Sequence, residues 1–250
     1  ARVRSLSFKT KPGGQVWFSR DGFDNSLAAC FFPERATELQ LQLAIDLELE
    51  EKDPFHFLLK NSAVDLPFVY EPSLLPILAA YRERRTSGDL ELPGWQFPTY
   101  EKREPTVATL VALNKVIHDS IGYERRAEGA AREPLETLRM RCGACRDVAV
   151  LLAEILRQMG LAARLVSGYL RETETVSRRA EGSLHAWTEA FLPGAGWIGM
   201  DATNGVFSNH NFISTAVGLT PADITPISGS YYHRDTIPSG MTSRLELINL

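Results

Sequence analysis

The chain has 250 residues, of which 44% are hydrophobic and 23% are charged, which is the composition of an ordinary globular protein. This excludes a disordered chain, a collagen-like fibre and a coiled coil. The net charge is −4, from 27 basic and 31 acidic side chains, and this balance argues against a nucleic-acid partner. Since no run approaches about 18 apolar residues, we expect no membrane partner either.

The first third of the sequence predicts β-structure. Gln15–Phe18 and Ser26–Phe32 are short candidate strands, separated by turn-forming residues. From Leu39 to Glu50, apolar and polar residues alternate, which predicts a long strand with one buried and one solvated face. We expect these strands to form an antiparallel, β-sandwich-like domain over residues 1–66.

The middle of the sequence predicts helices. The first is expected over Pro72–Tyr81, the second over residues 105–121, and a short third over Leu135–Arg139. The strongest pattern spans Cys145–Met159, where apolar residues recur at i, i+3 and i+4 and Gly160 supplies a stop signal.

The last third returns to strands. Ala163–Leu170, Leu184–Leu192 and Gly196–Met200 are candidates, and a Pro-Gly turn joins the second to the third. The tail, Leu245–Leu250, predicts an edge strand. The fold class is therefore α+β: an N-terminal β domain followed by a mixed core over residues 67–250.

Three residues in this core are candidates for nucleophilic chemistry. Cys145 begins the strongest helix and faces the core from the positive end of the helix dipole, which favours a thiolate. His185 lies in one candidate strand, and Asp201 ends the next. Because hairpin neighbours bring their side chains together, this imidazole and carboxylate can form a base and its orienting group.

Four segments resemble the core of the transglutaminase-like cysteine enzymes. The resemblance is strongest to the bacterial branch that is described as candidate cysteine proteases and has an N-terminal β domain. It covers about residues 105–210 and extends more weakly towards Trp17 and towards the C-terminal strand. The segments are Gly143–Asp147, Leu165–Tyr169, Leu184–Glu189 and Gly196–Gly205.

The resemblance implies a papain-like, transglutaminase-type core with helices packed on an antiparallel sheet. It assigns Cys145 as the nucleophile, His185 as the base and acid, and Asp201 as the residue that orients His185. It implies an amide-bond enzyme that forms a thioester acyl-enzyme on a peptide or protein, followed by hydrolysis or by transamidation. No cofactor or metal is expected, and in this branch the β domain usually has another strand ahead of residue 1.

Weaker candidates surround these three residues. Asp147 is expected either to cap the helix start or simply to favour the helix dipole. Tyr169 and Trp187 match family positions that flank the cleft, although core aromatics would occupy the same positions. The charged segment Arg171–Ser183 is either a solvated hairpin tip or a segment that reads the substrate.

Cys142 opens a second interpretation. With Cys145 it forms a C-x-x-C pattern, which is also found in thiol–disulfide oxidoreductases. A non-catalytic binding module on the same fold is the third interpretation. The odd number of cysteines, Cys30 included, does not suit a secreted disulfide framework, so a reducing, cytoplasmic location is expected.

Overall fold

A computed structural model gives the fold and describes residues 2–126, 129–171, 184–232 and 240–248. The chain divides into two compact units, Ala1–Asp53 and Pro54–Leu250. The α+β class is as predicted, with antiparallel strands in the first unit and helices with an antiparallel sheet in the second. Within the described residues, no helix combines the length and the apolar character that crossing a membrane requires.

The first unit contains four strands in two antiparallel pairs. In chain order the strands are β1 (Arg2–Lys11), β2 (Gln15–Arg20), β3 (Ser26–Phe31) and β4 (Gln40–Glu48). β1 pairs with β4, and β2 pairs with β3. The rings of Phe8 and Phe18 meet edge to face, with centroids 6.2 Å apart, and so connect the two pairs.

The alternation in β4 is present, but the predicted burial of one face is wrong. Leu41, Leu43 and Ile45 share that face and remain 38%, 53% and 37% exposed. A period of two fixes which side chains point the same way. It does not provide a surface that covers them.

The second unit contains the predicted helices and the three strands predicted between residues 163 and 200. Its helices are α1 (Leu75–Arg82), α2 (Thr106–Ser120), α3 (Pro134–Met140) and α4 (Cys145–Gln158), with a short 3-10 helix at Asn61–Ala63. Its strands are β5 (Asp65–Leu66), β6 (Glu104–Pro105), β7 (Gly122–Tyr123), β8 (Cys142–Gly143), β9 (Ala163–Leu170), β10 (Leu184–Leu192), β11 (Gly196–Asp201), β12 (Val206–Phe207) and β13 (Phe212–Gly218).

One five-stranded sheet forms the centre of this unit, in the order β12-β11-β10-β9-β13, with every neighbouring pair antiparallel. Helix α4 packs on β10, and the Thr188 hydroxyl donates a 2.7 Å hydrogen bond to the carbonyl oxygen of Ala149 on the helix. The apolar stripe of α4 is buried against the sheet, as its spacing predicts; its members include Val148, Leu151, Leu152, Ile155 and Leu156.

The C-terminal tail is not the predicted edge strand. The described part of the tail, residues 245–248, has no strand structure. The outer edge of β9 is instead occupied by β13, which pairs with it from Phe212 to Gly218. The edge strands of the sheet are therefore β12 and β13, and the described tail residues pair with neither.

The boundary between the units also differs from the predicted position at residue 66. The segment after Pro54 is bonded to the second unit: the Lys60 amide donates to the Pro193 carbonyl oxygen at 2.8 Å. Leu66 is 1% exposed within the core of that unit. These contacts move the boundary to Asp53.

Candidate active site

The candidate nucleophile lies at the first residue of α4. Cys145 follows the buried residues Gly143 and Ala144, and Ala144 is the N-cap of the helix. Because the first backbone N–H groups of a helix have no partners within it, the end that bears Cys145 carries partial positive charge. This position favours the thiolate form of the side chain.

Asp147 holds this helix end in place. Its side chain is fully buried and accepts a 2.8 Å hydrogen bond from the backbone amide of Ala144, which is a capping contact. Arg126 Nη2 lies 2.7 and 3.1 Å from its two oxygens, and the Arg132 backbone amide donates at 2.8 Å. Asp147 thus ties the segment before α3 to the start of α4, and its contacts are those of a structural anchor.

His185 and Asp201 meet across the two strands that the sequence predicts as a hairpin. His185 lies near the start of β10, and Asp201 ends β11, which pairs with β10. His185 Nε2 and Asp201 Oδ2 are 2.8 Å apart, and each residue is 1% exposed. The remaining ring nitrogen, Nδ1, forms no hydrogen bond with the described residues, which leaves it available to Cys145.

The Asp201 carboxylate is fixed by the turn that follows it. Its Oδ1 accepts a 3.0 Å hydrogen bond from the Thr203 amide, and its Oδ2 accepts a 2.7 Å bond from the side chain of Asn204. Since donors surround both oxygens, they stabilise the charged form of the carboxylate.

The ionisable groups of the site shift one another's pKa values. Burial acts to raise the pKa of Cys145, but the His185 imidazole and the Ala186 backbone amide outweigh it, and the pKa lies below that of an ordinary thiol. Burial acts to lower the pKa of His185, but the Asp201 carboxylate and the Cys145 thiol raise it above the ordinary value. The pKa of Asp201 is lowered: burial opposes its charge, and His185 and Asn204 favour it. This pattern favours a thiolate–imidazolium pair.

Of the two aromatic candidates, Trp187 lies beside the imidazole. Its ring stacks on His185 at a centroid distance of 6.2 Å and meets Phe212 edge to face at 5.3 Å. Tyr169 pairs with Leu184, one position away from His185, so strand alternation directs it to the other face of the sheet. Trp187 therefore supports the imidazole, whereas Tyr169 lies apart from it.

Tyr123 is a neighbour of the site that sequence reasoning missed. It lies on β7, which runs parallel to β8 and pairs Tyr123 with Gly143, two residues before Cys145. Burial, followed by the nearby charge of Cys145, raises the pKa of its hydroxyl. No periodicity marks a strand of two residues, so only the folded pairing reveals this proximity.

Cys142 does not bond to Cys145, since both are free thiols. Its Sγ atom lies 3.8 Å from Glu124 Oε2, and Glu124 in turn forms an ion pair with Arg132 at 2.8 Å. Most of the segment Arg171–Ser183 lies outside the described residues; Arg171 itself donates through its backbone amide to the Asn211 carbonyl oxygen at 2.9 Å.

Comparison with known proteins bears out the resemblance. Residues 95–202 match the model of the transglutaminase-like superfamily. A candidate cysteine protease from Cytophaga hutchinsonii has a similar structure, with a TM-score of 0.58 and 19% identity, over 89% of this chain and 72% of that one. At that identity the similarity concerns the fold. The helices packed on an antiparallel sheet, the family match and this structural similarity together define a transglutaminase-like fold in the second unit.

Two mycobacterial proteins are similar in sequence. The uncharacterized protein ML0607 of Mycobacterium leprae is 34% identical over 136 residues, which cover 54% of this chain and 48% of that protein. The uncharacterized protein Rv2569c of Mycobacterium tuberculosis is 31% identical over 142 residues, which cover 54% and 45%. The chain thus spans about half the length of the curated relatives it matches.

Proposed function

We propose that this protein is a cysteine-dependent amide-bond enzyme in which Cys145 is the nucleophile, His185 the base and acid, and Asp201 the orienting group. The observation that carries the proposal is the buried 2.8 Å contact between His185 Nε2 and Asp201 Oδ2, which leaves Nδ1 for the thiol. The lowered pKa of Cys145 supports the same roles. The transglutaminase-like domain is consistent with a cysteine enzyme at the level of the superfamily.

In the first half of the reaction, the Cys145 thiolate attacks the amide carbonyl carbon and forms a C–S bond. The charge that develops on the carbonyl oxygen is stabilised by the backbone N–H of Cys145 at the helix start. The C–N bond then breaks, and the His185 imidazolium gives its proton to the leaving amine. The acyl group remains on Sγ as a thioester.

In the second half, His185 takes a proton from the incoming nucleophile as that nucleophile attacks the thioester. The C–S bond breaks and the thiolate returns. Water yields a carboxylic acid, whereas an amine yields a new amide. We propose hydrolysis of a peptide or protein as the default reaction. Transamidation is the second reaction, and it occurs when an amine attacks the thioester.

The proposal includes a location. We propose a cytoplasmic location, because three cysteines, an odd and small number, do not suit a secreted disulfide framework.

The test is to trap the acyl group. p-Nitrophenyl acetate, a reactive acetyl donor, should release a burst of p-nitrophenolate and leave one acetyl group on Cys145, identified by peptide mass. Cys145→Ala should abolish both signals, because it removes the nucleophilic sulfur. A library of peptides incubated with the wild type and quenched in acid should then identify the natural acyl class.

Cys142→Ala is the matched control, since it removes a free thiol three residues away in the same segment. It should keep the burst and the adduct. If Cys145→Ala keeps wild-type turnover, the nucleophile assignment is wrong. If the wild type reduces insulin disulfides and both variants lose that activity, the protein is an oxidoreductase.

A further inference from the structure

Asn114 lies on α2, far in sequence from the three proposed catalytic residues, yet its side chain reaches the turn that carries Asp201. Its Nδ2 atom donates to the Asp201 carbonyl oxygen at 3.4 Å and to the Val206 carbonyl oxygen at 3.1 Å. Asp201 and Val206 are paired residues of β11 and β12. One amide group therefore binds both ends of the turn.

A second residue of α2 binds the middle of the same turn. His118 Nδ1 lies 3.0 Å from the Thr203 carbonyl oxygen. At Gly205, where φ is +70°, a Cβ atom would come within 3.0 Å of the His118 ring. The turn thus lies directly against α2, and only a residue without a side chain fits at this point.

The same turn supplies the donors that fix the carboxylate. The Thr203 amide and the Asn204 side chain both donate to Asp201, at 3.0 and 2.7 Å. A shift of the turn would therefore move the carboxylate and, with it, the imidazole that Oδ2 holds. The backbone contacts from α2 and the side-chain contacts to Asp201 belong to one connected network.

Packing alone does not account for an asparagine at this position. Asn114 is 1% exposed, and its neighbours on the buried face of α2 include Leu110, Leu113 and Ile117. Its Oδ1 atom is buried without a hydrogen-bond partner among the described residues. A half-satisfied buried amide is unfavourable for stability, so its presence points to a role for the two bonds that Nδ2 does form.

We propose that Asn114 is a positioning residue for Asp201, and through Asp201 for His185. This inference rests on the proposed function, because it assigns Asn114 a part in setting the geometry of the same site. Asn114 contacts the backbone of the turn and reaches no reacting atom. Its loss therefore loosens the carboxylate without removing any group that performs chemistry.

Asn114→Leu tests this, since leucine has the same number and branching of side-chain heavy atoms and no donor. Two properties are measured: acetylation of Cys145 by p-nitrophenyl acetate, and the pH dependence of Cys145 alkylation by iodoacetamide, followed on the Cys145 peptide. We expect acetylation to slow by about 10- to 100-fold, in keeping with a small displacement of a catalytic group. The alkylation profile should move to higher pH, because a loosened Asp201 stabilises the imidazolium less well.

Gln158→Ala is the matched control. Gln158 is also a helical amide that binds the backbone of another segment, with the Leu90 amide donating to its Oε1 at 2.8 Å and its Nε2 donating to the Leu90 carbonyl oxygen at 3.1 Å. Its loss should lower the melting temperature and leave both properties of Cys145 unchanged. If Asn114→Leu fails to fold, Asn114→Ser, which keeps a donor too short to span both carbonyls, should show the same direction of change.

The outcomes separate the two proposals. If the wild type is alkylated at low pH and Asn114→Leu keeps the wild-type rate and profile, the positioning role is refuted and the proposed function stands. If the wild type itself shows no alkylation below the ordinary thiol range, the nucleophile assignment fails and this inference fails with it.

Discussion

At Cys145, two opposing effects set the charge of the thiol. Burial favours the neutral form, whereas the His185 imidazole and the Ala186 amide favour the thiolate, and the resulting pKa lies below the ordinary value. The pKa of His185 is raised by the Asp201 carboxylate despite burial. Between these two values, the thiolate and the imidazolium exist together. Above the pKa of His185 the imidazolium loses its proton, and below that of Cys145 the thiolate gains one.

We predict that Cys145 is alkylated by iodoacetamide with a midpoint at lower pH than the ordinary thiol value of about 8.5. His185→Gln should shift the midpoint upward, because the variant removes the cation that stabilises the thiolate. The measurement is the rate of carbamidomethylation of the Cys145 peptide across pH. Superimposable profiles for the two proteins would exclude an ion pair between these residues.

At Asp201, the charge of the carboxylate is predicted to matter more than its hydrogen bonds. Asp201→Asn keeps the size and one acceptor but removes the charge that favours imidazolium. We expect kcat for the acyl-transfer reaction to fall by about 10²–10⁴-fold with KM nearly unchanged, and the Cys145 alkylation midpoint to rise.

Asp223→Asn is the control for that substitution, because Asp223 is a carboxylate that stabilises a turn in the same unit. It accepts hydrogen bonds from the Leu219 and Thr220 amides at 3.0 and 2.8 Å. Its replacement should lower stability and leave kcat near wild type. The same pattern for Asp201→Asn would make Asp201 a turn-former and leave a pair of Cys145 and His185.

The residues of the candidate site differ in how far the sequence reveals them. Cys145 begins a helix with a clear apolar period, and His185 and Asp201 lie on strands joined by a Pro-Gly turn. Local sequence patterns therefore predict the elements on which all three residues lie. Tyr123 and Asn114 have no such pattern. Tyr123 reaches the site through a strand of two residues, and Asn114 through hydrogen bonds to a turn 87 positions away along the chain.

At the scale of elements, the start of α4 depends on the buried carboxylate of Asp147. Asp147→Asn would place an amide N–H₂ among the donors of Ala144, Arg126 and Arg132. We predict a loss of about 1–3 kcal/mol in the free energy of unfolding, because donors facing the new amide group lose an acceptor. Urea denaturation of the variant and the wild type measures this difference.

A surface carboxylate provides the comparison. Asp119 lies 2.8 Å from Lys115 on α2, and both side chains are more than half exposed, at 54% and 71%. Asp119→Asn should change the free energy of unfolding by no more than about 0.5 kcal/mol, since exposed ion pairs contribute little. Equal losses in the two variants would contradict an anchoring role for Asp147.

The sequence pattern did not reveal two strands, and an irregular register accounts for only one of them. β1 pairs with β4 through a shift of register between Val3 and Ser5, and β13 pairs with β9 through another between Ser214 and Ala216. A bulge adds a residue to one strand, so the alternation of apolar and polar side chains changes phase inside it. The shift in β13 falls in the middle of the strand, whereas the shift in β1 lies near its start, and Leu6 and Phe8 still alternate with Ser7 and Lys9. The bounds of β9 and β10 match the predicted ones.

At the scale of the whole molecule, the two units differ in how they are stabilised. The first has two pairs of strands, and apolar side chains such as Trp17 and Phe18 stay 54% and 64% exposed. Two-stranded pairs are marginally stable on their own. The second has a large buried core with members from Leu66 to Ile224 and a smaller buried cluster that includes Tyr70 and Leu78. The segment between Pro54 and Leu66 joins this core, but its apolar and polar residues do not alternate. The sequence pattern therefore could not predict that this segment belongs to the second unit.

We therefore predict different outcomes for two truncated proteins. Residues 54–250 should unfold cooperatively in urea and keep the wild-type pH profile of Cys145 alkylation, because the buried contacts of the second unit are retained. Residues 67–250, which begin at the boundary predicted from sequence, should lose at least about 3 kcal/mol of stability. This shorter protein lacks Ala63 and Leu66, which are 0% and 1% exposed, and it leaves the Thr106 amide and hydroxyl without the acceptors that they contact at 2.8 and 2.7 Å. If the two proteins unfold at the same urea concentration, the segment between Pro54 and Leu66 is not part of the second unit.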